Sequence, residues 1–77
     1  MKATVNLYQD GGVSGPRETI NTTSETAVAD AIAWSEGQAG HPWDGIIVTV
    51  YEDDDEAMRA PVETHQIECR EGAWERV

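Results

Sequence analysis

Hydrophobic and polar positions alternate strictly at the start of the chain. In "KATVNLY", Ala3, Val5 and Leu7 fall on one side and Thr4, Asn6 and Tyr8 on the other, the period of two that marks a half-buried strand. "QDGG" then supplies a turn, with Gly11 and Gly12 able to take positive φ. The return stretch "VSGPRETI" predicts pairing with the first strand from about Ser14 to Ile20, and its Gly15 and Pro16 predict an irregular or edge strand.

The period changes in "NTTSETAVADAIAWSEGQAG". Ala27, Val28, Ala31, Ile32 and Ser35 recur at helical spacing, with Trp34 beside them. Thr22 with Glu25 has the spacing of a capping box, and Thr23 and Ser24 are alternative caps. Gly37, then Gly40 and Pro42, end a helix of three to four turns. Its alanine-rich stripe allows close approach to a sheet.

"GIIVTVY" is the most apolar run. Ile46, Val48 and Val50 face one way and Ile47, Thr49 and Tyr51 the other, so apolar residues on both faces predict a central strand. Val62 to Cys69 suits another strand, "REG" a tight turn, and Ala73 to Val77 a short terminal strand. The order β(β)αββ(β) predicts an α+β fold, one main helix packed on a small, mainly antiparallel sheet of four to five strands, forming a single domain over 1–77. One helix cannot cover both faces of a sheet. The other face is either solvated, as Thr4, Asn6 and Gln66 allow, or covered by a partner or by a second copy in a homodimer.

Composition narrows the function. Fifteen acids against five bases give a net charge of −10 on 77 residues, beyond the magnitude of about 2–8 that suits a small domain. Residues 1–43 carry five acids and two bases, whereas residues 44–77 carry ten acids and three bases. Such a field repels phosphate backbones and anionic membranes, so direct nucleic-acid binding is disfavoured and a basic surface is the natural partner. Solubility or adaptation to high salt is the other reading of the same charge. No apolar run approaches the roughly 20 residues of a membrane span. "MKATVNLYQD" lacks the apolar core of a signal peptide, and the single cysteine fits a cytoplasmic setting.

Cofactors and catalysis find little support. "DDDEAMRAPVET" lacks the central glycine and terminal glutamate of a calcium loop. His65 and Cys69 share a strand face but stand four residues apart, roughly 13 Å, too far to chelate zinc or to act as base and nucleophile; His41 is the other histidine. "DGG" and "SGP" lack the spacing and lysine of a phosphate loop. The expectation is a protein that is not an enzyme and takes no cofactor.

The remaining chemistry is the run Glu52, Asp53, Asp54, Asp55 and Glu56. Asp53 with Glu56 has capping-box spacing, with "EAMRA" as one helical turn stopped by Pro61. That uses two or three of the five charges. The surplus is either incidental solvation or a surface for a basic partner, to which Asp44, Glu63, Glu68, Glu71 and Glu75 can add. Among the tryptophans, Trp34 reads as core. Trp43 in "AGHPWDG" either plugs the sheet end or serves as an exposed anchor, and Trp74 packs on the helix or stands on an open face. The candidate partner-binding set is therefore Glu52 to Glu56, Asp44 and Trp43.

In its size, its "ETAVADAIAWSEG" helix followed by "GIIVTVY", and its run Glu52 to Glu56, the chain resembles the small acidic phage-encoded inhibitors of host defence, the anti-CRISPR proteins. Several of those act as DNA mimics. The resemblance implies a cytoplasmic inhibitor in the host cell that occupies a basic nucleic-acid-binding surface of a defence complex. The rivals are a small housekeeping or halophile-adapted domain and a regulatory partner-binding module.

Overall fold

The computed structural model describes residues 1–9, 17–38, 43–71 and 73–77. In chain order the elements are β1 (Lys2–Tyr8), β2 (Arg17–Asn21), α1 (Ala27–Glu36), β3 (Gly45–Tyr51), β4 (Glu63–Arg70) and β5 (Ala73–Arg76). The strands form one antiparallel sheet in the order β2-β1-β3-β4-β5, an α+β arrangement with one helix among the described residues. The expected pairing of the second strand with the first runs from Arg17 to Asn21; Ser14, Gly15, Pro16 and the turn at Gly11 and Gly12 lie outside the described residues.

Register turns the alternation into two faces. Ala3 pairs with Val50, Val5 with Val48, Leu7 with Ile46, and Ile46 with Ile67. All seven of these side chains are buried in one core together with Ala27 and Ala31 of α1. The helix meets them through Ala27, Ala31 and Ser35, which are fully buried, while Val28, Ile32 and Trp34 pack around the margin. Small residues every fourth position bring the helix axis close to β1 and β3. Ser35 keeps its hydroxyl satisfied by donating to the Ile32 carbonyl at 2.8 Å.

The opposite face carries a threonine row across four strands, Thr19, Thr4, Thr49 and Thr64 in register. Lys2 and Tyr51 flank it on one side, and Asn6, Ile47 and Gln66 on the other. Threonine pairs suit a strand surface because the β-branch packs and the hydroxyl stays polar.

The helix starts later than the capping box predicts. Its N-cap is Thr26, whose side chain makes no capping bond, and the helix spans ten residues rather than three to four full turns. The hydroxyls upstream stabilise the turn before it. Thr23 Oγ1 accepts from the Thr26 amide at 3.1 Å, and Thr22 and Thr26 both donate to Asp30 Oδ2, at 2.7 and 3.0 Å. Ser24 ties this turn to β4 by donating to Glu63 Oε2 at 2.7 Å. At the far end Gly37 caps onto the Trp34 carbonyl; Gly40 and Pro42 lie outside the described residues. No helix among the described residues is long and apolar enough to cross a membrane.

Candidate functional site: an acidic loop at one end of the sheet

Residues 52–62 join β3 to β4, and the Val62 amide donates to the Val50 carbonyl at 2.8 Å to close the loop's base. The expected helical turn is absent. Two successive turns stand in its place, closed by the Asp55 amide on the Glu52 carbonyl (3.1 Å) and the Met58 amide on the Asp55 carbonyl (3.0 Å). Met58 then takes φ 51°, a left-handed conformation uncommon for a side chain of its size. The chain leaves it by folding back over Asp55. The carboxylate of Asp55 accepts from the Arg59 amide at 3.1 Å and the Ala60 amide at 2.9 Å.

This corrects the capping-box reading. Asp53 and Glu56 do not start a helix; Asp55 organises the loop, acting on amides four and five residues ahead. The Ala60 amide, followed by that of Arg59, holds the Asp55 carboxyl below its ordinary value of 3.8. Asp53 has a different partner, the terminal ammonium of Met1, at 3.2 Å. Glu52, Asp54 and Glu56 are exposed, and their carboxylates make no hydrogen bond or ion pair with another described residue. The run is therefore one acid, Asp55, that organises the backbone, one, Asp53, that is exposed and paired with the terminal ammonium, and three that point their charge into solvent.

Asp44 and Trp43 lie elsewhere. They precede β3, whereas the acid run follows it, so a seven-residue strand, about 23 Å, separates them. Asp44 is exposed and extends the sheet, donating its amide to the Tyr8 carbonyl at 3.0 Å and accepting from the Cys69 amide at 2.8 Å. Trp43 is 8% exposed and belongs to the core, which removes it from the exposed anchors. No described residue offers its Nε1 an acceptor. Trp74 is half-buried against the same core.

His65 and Cys69 share the helix-covered face of β4, as their spacing requires. His65 sits 3.8 Å from Glu63 through Nε2 and meets the Arg76 guanidinium through Nδ1. Cys69 lies opposite Trp74. His41 lies outside the described residues. Among the described residues no three His, Cys, Asp or Glu side chains are grouped to hold a metal ion.

Sequence reasoning passed over the end of the sheet near Asp44. There Tyr8 lies directly across from Gly45, and a Cβ on Gly45 would collide with the Tyr8 ring and the Ile67 carbonyl. The glycine lets the tyrosine fold over its neighbour strand, where Tyr8 Oη receives Gln66 Nε2 at 3.3 Å. The signal was the glycine opening an otherwise β-branched strand. No family model, curated protein or solved structure matches the chain.

Proposed function

We propose that the chain is an acidic protein-binding inhibitor that occupies a basic nucleic-acid-binding surface, with a host defence complex as the target that its resemblance to anti-CRISPR proteins implies. The observation that carries this reading is the alternation in the 52–62 loop. Asp55 holds the backbone in place through the Arg59 and Ala60 amides, and Glu52, Asp54 and Glu56 present charge from that fixed frame. A preorganised set of carboxylates binds a basic groove at lower ordering cost than a flexible acidic tail. The surface favours this over docking through an apolar patch, because the exposed large hydrophobic residues among those described are only Val62 and Val77.

The test follows from the division of labour. The triple variant Glu52→Gln, Asp54→Asn, Glu56→Gln removes the outward charge and spares Asp53 and Asp55. It is expected to keep the wild-type circular dichroism and to melt no lower than wild type. It should no longer recover a nucleic-acid-processing complex from host lysate, a complex that wild-type protein recovers and that competitor DNA or high salt displaces. Equal recovery by the triple variant would overturn the proposal.

A further inference from the structure

At the end of the sheet opposite the acid loop, a shallow cleft of about 230 Å³ is lined by Tyr8, Asp44, Glu68, Cys69 and Arg70. That volume falls below the roughly 300–1,000 Å³ of small-molecule pockets and suits a single long side chain. Its charges are arranged for a cation. Glu68 stands directly opposite Glu75 across the β4–β5 ladder, a like-charge pairing that a sheet tolerates at a cost. Arg70 offsets part of it, and does so incompletely. Its Nε and Nη2 both reach the same Glu68 oxygen, Oε2, at 2.9 and 2.7 Å, so neither bond uses Oε1. The Tyr8 ring forms the wall, held over Gly45 by the close approach that only glycine permits.

The chain's own guanidinium thus shows what chemistry the cleft accepts. We propose that this cleft receives an arginine side chain of a partner protein, with Glu68 as the carboxylate it engages and Tyr8 as the ring it packs against. Guanidinium is favoured over ammonium because its planar face stacks on an aromatic ring while its edge donates to the Glu68 Oε1 that Arg70 leaves unused. The inference deepens the reading of a basic partner and rests on it. It adds a second, side-chain-specific contact at the opposite end of the sheet from the acid loop.

The test is a titration of ¹⁵N-labelled protein with N-acetyl-arginine methylamide, with N-acetyl-citrulline methylamide as the uncharged analogue of the same shape. The arginine compound is expected to shift the amides of Tyr8, Asp44, Glu68, Cys69 and Arg70, and the citrulline compound to leave them in place. Glu68→Gln should weaken binding about tenfold, the scale of one lost charge-assisted hydrogen bond. Arg70→Gln, which releases Oε2, should strengthen it. Equal shifts with arginine and citrulline, or shifts confined to residues 52–56, would overturn the cleft without needing any variant to fold. The two proposals fail separately. If the cleft fails while the triple loop variant still loses the partner, the acid loop stands alone. If the lysate recovers no partner while the arginine titration succeeds, the cleft's chemistry stands and the proposed target falls.

Discussion

Asp55 is the residue on which the acidic loop depends, and its chemistry gives a pH signature. Its carboxylate is stabilised in the ionised form by the Ala60 and Arg59 amides, so its folded pKa lies below 3.8. A depressed folded value means that the contribution is fully present above the unfolded pKa and is lost as pH falls through the folded one. At neutral pH the loop is therefore intact, and it should loosen only under acid conditions below the ordinary carboxylate range. Amide hydrogen exchange checks this. Arg59 and Ala60 should stay protected from pH 7 down to about 4 and lose protection below it, and Asp55→Ala should expose both amides at every pH. Protection of those amides in Asp55→Ala would show that the turns hold themselves. None of this was legible in "EDDDEAMRA". A capping aspartate accepts from amides two or three residues on and Asp55 from amides four and five on. The residue types do not distinguish the two, and the observed turn has Met58 at positive φ.

At the scale of elements, alternation specified the strands well because slipping a strand by one residue moves its whole apolar set to the wrong face. Ala3, Val5 and Leu7, and Ile46, Val48 and Val50, accordingly all point inward. The helix start was less legible. Thr22, Thr23, Ser24 and Thr26 can each accept an amide, and the sequence does not rank them; packing does, by placing Ala27 as the first buried position. Turn chemistry hid one further feature. Glu71 takes φ 53° in the two-residue connection between Arg70 and Ala73, which pair across the ladder. A left-handed position in a two-residue hairpin connection favours asparagine or glycine. Glu71→Asn is expected to stabilise the protein by about 1 kcal/mol by relieving the left-handed strain, read as a shifted urea midpoint with an unchanged m-value. A shift toward instability would show that Glu71 makes a contact worth more than its strain.

Across the whole molecule, the acids are segregated rather than spread. The open sheet face carries Lys2, Arg17 and Arg70 against Glu68 and Glu75, so among the described strand residues it holds three bases and two acids. The ten carboxylates of residues 44–77 gather at the two ends of the sheet, Glu52 to Glu56 and Glu63 at one, Asp44, Glu68, Glu71 and Glu75 at the other. The half-chain imbalance of the sequence pointed to the acidic loop but not to this polar arrangement, because hairpins return distant residues to the same end. Nor did alternation reveal that β1 lies between β2 and β3, since a strand's pattern specifies its faces and says nothing of which neighbours take its edges. The segregation makes the salt response diagnostic. Repulsion within the 52–56 run acts over distances shorter than the Debye length of about 10 Å at 0.1 M salt, so screening it requires salt well above that level. Melting temperature should therefore climb from 0.05 to about 1 M NaCl, where the Debye length falls to about 3 Å, and the Glu52→Gln, Asp54→Asn, Glu56→Gln variant should flatten most of that climb. A slope unchanged by the variant would mean that repulsion is distributed over the whole surface, as in a salt-adapted domain, and would remove the reason for treating the loop as a surface set apart for a partner.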